Sequence, residues 1–172
     1  VDNVGDIVIE ETTMYTNTVN STISYTLTSY VDDLNLIGTS AINGIGNDQN
    51  NIITGNSASN TLTGGTGADK FVFNTKLGNT NVDKITDFDR YYDEILLENS
   101  IFTKLVTAYT LNKDNFVSND TGVAKDSNDY LVYNNSTGKL FYDADGSGLG
   151  ASIQIALIEN NALLTNTDFT VI

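Results

Sequence analysis

The sequence predicts an all-β chain: a parallel β-roll or β-helix of short strands, capped by an antiparallel β-sheet region. Three observations carry this. Gly64-Gly65-Thr66-Gly67-Ala68-Asp69-Lys70-Phe71-Val72 fits the nonapeptide G-G-x-G-x-D-x-U-x, where U is large and apolar. Two looser copies precede it without a gap, Gly55 to Thr63 and Gly46 to Thr54. Towards the other end, Tyr130 to Tyr133, Lys139 to Tyr142 and Ser152 to Ile158 are rich in β-branched and aromatic residues. Turn-forming stretches, Asn134 to Gly138 and Asp145 to Gly148, separate them as in a meander.

Taken in order, Asp6-Ile7-Val8-Ile9-Glu10 reads as a first strand from its β-branched run. Val19 to Thr28 alternates in part, through Ile23, Tyr25 and Leu27, and reads as a second; Leu34-Asn35-Leu36 reads as a third. The repeats follow. Their first position is Gly46, Gly55 or Gly64, their sixth Asn51, Asn60 or Asp69, their eighth Ile53, Leu62 or Phe71. A fixed apolar position at this period means one strand and one turn per repeat, stacked on its neighbours. One step further back the register breaks, with Gly44 where an apolar residue is expected and Ile42 nearby. Beyond residue 73 the period stops. Phe71-Val72-Phe73, Lys84-Ile85-Thr86 and Ile95-Leu96-Leu97 read as strands, and Ser100 to Leu105 as a short helical turn. Residues 1–72 are thus expected to form the stacked region, and 73–172 its cap, which shields the last edge from pairing.

Composition narrows the function. Among 172 residues, 22 acids face 8 bases, a formal charge of −14. That disfavours nucleic acid and anionic membranes as partners. A hydrophobic content of 40% argues against disorder as the source of the acidity. Cysteine is absent, so any staple must be something other than a disulfide, and a metal is the natural candidate. Proline is absent too, which spares folding a slow isomerisation and equally suits parallel ladders. No apolar run approaches the about 18 residues of a membrane span. The chain opens on Val rather than Met, and its repeats begin without an N-terminal cap, so it is expected to be part of something longer.

The chemistry sits in the turns. Glycine-rich turns can aim carbonyl oxygens inward, and Asp69 adds a carboxylate; such hard oxygen ligands suit Ca2+. The competing reading is a metal-free turn with a stacked Asn ladder. Asp143-Ala144-Asp145-Gly146 resembles the opening of an EF-hand loop, but its twelfth position is Gln154 rather than a bidentate Glu, and a tight hairpin is the simpler reading. Catalysis is not expected. Without His or Cys the common nucleophile–base pairs and His/Cys zinc sites are excluded. Two Asp residues are also the equipment of a glycosidase pair, but metal binding accounts better for acids on repeat turns.

Together with the nonapeptides, three further segments resemble the C-terminal region of an RTX (repeats-in-toxin) protein exported by a type I secretion system. Val82-Asp83-Lys84-Ile85-Thr86-Asp87-Phe88 with Asp93-Glu94-Ile95 is similar to a segment that closes such rolls. Leu140 to Gly148 is similar to a hairpin near their C-termini, and Asp168-Phe169-Thr170-Val171-Ile172 to an uncleaved export signal. Asp2-Asn3-Val4-Gly5-Asp6 resembles the linking repeats ahead of the arrays, although Met14, Tyr15 and Asn17 stand where a glycine-rich acidic turn would be. The resemblance implies Ca2+ between turns two repeats apart. Backbone oxygens of Gly46, Asp48, Gly65 and Gly67 would join the side chains of Asn51 and Asp69. The turn ending at Asn60 would draw on Asp83, Asp87 and Asp93, with Asp89 a weaker candidate; a solvated acidic loop is the plain alternative. The implied function is a calcium-dependent folding, capping and secretion module of a larger protein. Its partners would be Ca2+ and the type I secretion machinery, and its location secreted or at the cell surface. A direct structural or adhesive role within an RTX adhesin or surface-layer protein is the alternative.

Overall fold

The computed structural model describes residues 1–12, 15–106 and 109–172. It is all-β. Strands β1 (Thr18–Ser21), β2 (Tyr25–Thr26), β3 (Asp33–Leu36), β4 (Asn43–Ile45), β5 (Ile52–Thr54), β6 (Thr61–Thr63), β7 (Lys70–Phe73), β8 (Asp83–Ile85) and β9 (Glu94–Leu97) come first. They are followed by β10 (Phe116–Asn119), β11 (Leu131–Asn134), β12 (Lys139–Tyr142), β13 (Ile153–Ile158) and β14 (Phe169–Val171). Single 3-10 turns, Lys113–Asn115 and Asn166–Asp168, lead into β10 and β14.

Through the first nine strands the chain alternates between two sheets. One has the order β1-β3-β5-β7-β9-β14 and is parallel throughout. The other, β10-β11-β12-β13-β8-β6-β4-β2, is mixed: β2, β4, β6, β8 and β13 pair in parallel, β11-β12 and β12-β13 antiparallel, and β10-β11 parallel again. The period dictates the core. An apolar side chain recurs at the same height in each rung, so Val19, Leu34, Ile53, Phe71, Ile95 and Phe169 form one in-register column. Leu62, Ile85 and Ile158 form another from the opposite sheet. Leu34, Ile53, Leu62, Phe71, Ile85, Ile95 and Phe169 have no accessible surface. Burying side chains of this kind is worth about 1.5–3 kcal/mol each and is the main term favouring the stack.

Several local expectations change. Asp6 to Glu10 is not a strand: Ile7 and Ile9 are exposed, while the Val8 N–H donates to the Tyr25 hydroxyl (3.1 Å) and the Val8 carbonyl accepts from Thr28 Oγ1 (2.5 Å). Side-chain bonds hold this segment across the first strands where a ladder was expected. Val19 to Thr28 divides into β1 and β2, which belong to different sheets, because the Ser21 hydroxyl turns the chain by donating to the Ile23 carbonyl (2.8 Å). The turn expected near residues 14–17 lies partly at Met14, outside the described residues. Gly44 does not end the stack. It occupies β4 opposite Leu62, and Leu34, Leu36 and Ile53 fill the space its missing side chain leaves. Parallel pairing also continues past residue 72, through β8, β9, β13 and β14. The antiparallel cap strands extend the second sheet itself. Longer loops deliver Ile85 and Ile95 to the same column positions, so pairing persists where the sequence period is lost.

Replacing Leu62 with Ala empties a closed core position and is expected to cost about 2–5 kcal/mol. Gly44→Leu overfills the facing position, where a Cβ would already stand 3.0 Å from Leu34 Cδ2, and is expected to cost about 1–3 kcal/mol. Urea unfolding of both variants in millimolar Ca2+ measures these; a neutral Leu62→Ala would contradict the column.

Candidate metal centre

Successive turns stack on two sides of the coil. On one side lie the turns entering β3, β5, β7 and β9; on the other lie those entering β4, β6 and β8. Three of these turns are closed by the side chain at their sixth position. Asn51 Oδ1 accepts from the Asn47 N–H (2.8 Å), Asn60 Oδ1 from the Asn56 N–H (2.8 Å), and Asp93 Oδ2 from the Asp89 N–H (2.8 Å). These side chains also tie one rung to the next. The Asn51 N–H donates to Asp69 Oδ1 (2.8 Å), the Asp69 N–H to Asp93 Oδ1 (2.9 Å), and the Asn60 N–H to Asp83 Oδ1 (2.9 Å). In the other direction Asn51 Nδ2 donates to the Val31 and Asp32 carbonyls (3.1 and 3.0 Å) and Asn60 Nδ2 to the Ile42 carbonyl (2.7 Å). Asn51, Asn60, Asp69, Asp83 and Asp93 are all buried.

The turn from Gly64 to Asp69 carries the same residue type without that bond. In Gly64 to Asp69 the oxygen corresponding to Asn51 Oδ1 is Asp69 Oδ2, and its expected donor is the Gly65 N–H. That N–H goes to Asp87 Oδ2 (2.9 Å), while Asp87 Oδ1 takes the Gly64 N–H (2.9 Å). Asp69 Oδ2 is left buried with no hydrogen-bond partner. A buried carboxylate oxygen without a donor is costly. Asp69 Oδ2 and Gly64 lie so close that a methyl on Gly64 would collide with the carboxylate. One on Gly46 would strike the Gly64 carbonyl and Asn51 Oδ1. Gly65 and Gly67 adopt positive φ (100° and 129°) and back onto the carbonyls of Asn47 and Gln49. Oxygen atoms therefore crowd every glycine in this pair of turns, as a site for a hard cation requires. The donor set fits Ca2+ in kind: buried carboxylate, amide oxygen and backbone carbonyls.

The sequence-derived ligands fall into two groups. Gly46, Asn51, Gly65, Gly67 and Asp69 are brought together with Asp87 and Asp93, on the side of the turns entering β5, β7 and β9. Asn60 meets only Asp83, whose Oδ2 lies 2.7 Å from where a Cβ on Gly55 would be. Asp87 and Asp93 therefore join the Gly64 turn, away from the Gly55 turn with which the sequence grouped them. The Asp48 side chain is exposed and accepts from Gln49 Nε2 (3.0 Å), and Asp89 is exposed at the head of the closing loop. Among the described residues no three carboxylates are gathered tightly enough to form a cage by themselves, so backbone and amide oxygens must complete any site. Asp143 and Asp145 serve a hairpin: Asp145 Oδ2 accepts from the Gly150 N–H (2.9 Å) and Asp143 Oδ1 from the Asp145 N–H (3.3 Å). The capture of the Gly64 and Gly65 donors by Asp87 was not anticipated. Its signal is the pair of adjacent glycines, whose two N–H groups can face one carboxylate.

Electrostatics follow the geometry. Burial pushes the Asp69 carboxyl up to about 6, with the charges of Asp93 and Asp87 adding to the effect and the Asn51 N–H opposing it. Burial lifts Asp83 to about 7 against the Asn60 N–H, and raises Asp93, with Asp87 and Asp89 contributing. Among the described residues, cations pair only at the surface, Lys70 with Glu94 (3.4 Å) and Lys84 with Glu159 (3.3 Å). No known protein-family model matches the chain, and a comparison with curated proteins found no match.

A carboxyl whose folded pKa lies above its unfolded value stabilises the fold while protonated, below about pH 4. That contribution is lost as pH rises through the folded values, about 6 for Asp69 and about 7 for Asp83. Metal-free protein is therefore expected to gain ordered β-structure as pH falls from about 8 to about 5. Far-UV circular dichroism in EDTA reads this directly, and Asp83→Asn should remove the upper part of the transition.

Proposed function

We propose that this chain is a calcium-dependent folding, capping and secretion module of the RTX type, belonging to the C-terminal region of a larger exported protein, and that its alternating parallel strands form a β-roll. The observation that carries the reading is Asp69 Oδ2, a buried carboxylate oxygen without a donor, set among glycines hemmed in by oxygen atoms. A bound Ca2+ supplies the missing positive charge and lowers the energy of an ionised Asp69, Asp87 and Asp93 together. Its binding free energy then becomes folding free energy. Where Ca2+ is scarce, the acids keep the chain loose. At extracellular concentrations, sites of about 10⁻⁴ to 10⁻³ M affinity fill and the roll closes.

The C-terminal end fits both parts of this role. In the folded chain Asp168 closes a capping box with Thr165, and β14 lies between β9 and the segment at Tyr109 to Leu111. Phe169 and Val171 are fully buried, so a secretion apparatus can read these residues only before folding.

Titrating the metal-free protein at pH 7.5 with Ca2+ should produce cooperative β-structure at roughly millimolar concentration, with Mg2+ a poor substitute. In Ca2+, Asp69→Ala should lower the melting temperature more than Asp145→Ala. A fold indifferent to Ca2+, or the reverse ranking, would overturn the reading. For export, a slow-folding passenger fused to residues 110–172 should reach the medium through a matching type I exporter. Removing the last five residues should reduce that transfer.

A further inference from the structure

The carboxyl ends of β1, β3, β5 and β7 border an open groove of about 440 Å³ that the calcium reading does not use. Its polar lining includes Asn20, Asn35, Thr54, Asn56, Ser57 and Asn74, and its main exposed apolar wall is Ile37. None of the described lining residues is charged, in a chain with 22 acids and 8 bases. The first 69 residues contain no Lys or Arg at all. Gly38, at φ 88°, has no atom within 4 Å of where its Cβ would be, and this opens the groove between neighbouring turns.

Apart from Asn56, which belongs to both, the amides here differ from those of the structural ladder. Asn47, Asn51, Asn56 and Asn60 each donate their side-chain N–H groups to backbone carbonyls. In the groove, Asn35 Nδ2 reaches Asn20 Oδ1 (3.2 Å). Asn20 Nδ2, Asn35 Oδ1, the Asn74 amide and the Thr54 and Ser57 hydroxyls find no protein partner among the described residues. Asn20, Asn35 and Thr54 stand side by side on successive parallel strands, so they form a row with the strand spacing of about 4.8 Å.

We infer that this groove binds a neutral oligosaccharide, laid along the stack axis across the Asn20-Asn35-Thr54 row. Free amides and hydroxyls match the donors and acceptors of sugar hydroxyls, and Ile37 offers an aliphatic surface to a sugar ring. An acidic polysaccharide meets no Lys or Arg in this half of a strongly anionic chain. An extended peptide would seek a backbone ladder, whereas the groove presents side chains.

The test is two-dimensional 1H–15N NMR of the full chain in millimolar Ca2+, titrated with cellohexaose and with maltohexaose. At least one should shift the side-chain amides of Asn20, Asn35 and Asn74 and the backbone of Ile37 and Gly38. Asn20→Ala combined with Asn74→Ala should weaken binding roughly tenfold, the loss of about two modest hydrogen bonds. Both residues are exposed, so the variant should keep its Ca2+-dependent melting. No shift with either sugar, equal shifts with hexagalacturonate or a neutral Gly-Ser peptide, or undiminished binding by a folded double variant would overturn the assignment.

Discussion

The stack depends on one repeated arrangement: the sixth residue of a turn closes its own turn with one oxygen and receives a backbone N–H from the preceding turn on the same side with the other, or sends its amide there. Asn51, Asn60 and Asp93 satisfy both demands with protein groups alone. Asp69 does not, because Asp87 takes the two glycine N–H groups within its reach. In a parallel stack each rung rests on the next, so an unbalanced carboxylate here bears on the strands of both sides. The rung of β7 lies between the repeats and the closing strands, where Phe71 packs at 6.2 Å from Phe88.

This arrangement links stability to the solvent. The apolar columns favour the folded state in any buffer, but they close only by bringing the charges of Asp87 and Asp93 to bear on Asp69. Protons relieve that conflict at low pH. In the proposed function Ca2+ relieves it at neutral pH. In that proposal the hydrophobic core and the acidic turns act in opposition until the cation arrives, so a chain with ample apolar content would stay loose in one compartment and fold in another.

Much of this was legible from residues 46–72, where one strand and one turn share a period of nine and the apolar, glycine and sixth positions can be read directly. Outside that window the pairing is kept while the period is not. Gly44 conceals a core strand because its neighbours Leu34, Leu36 and Ile53 supply the bulk it lacks. Asp83 and Asp93 reach their positions through longer loops, so spacing alone could not say which turn each would meet. Asp6 to Glu10 shows the converse: β-branched composition without a strand partner gives an extended segment with Ile7 and Ile9 in solvent. The groove beside Asn20 was invisible in sequence, since its amides differ from the ladder amides only in what they leave unbonded.

The central claim is that Asp69 Oδ2 is a Ca2+ ligand. Crystals grown in millimolar Ca2+ and measured at long wavelength test it most directly. The account predicts an anomalous peak at about 2.3–2.6 Å from Asp69 Oδ2, with carbonyl and amide oxygens of the Gly46 and Gly64 turns completing the shell. A well-ordered Asp69 with water or a protein donor at that oxygen, and no peak beside it, would contradict the account.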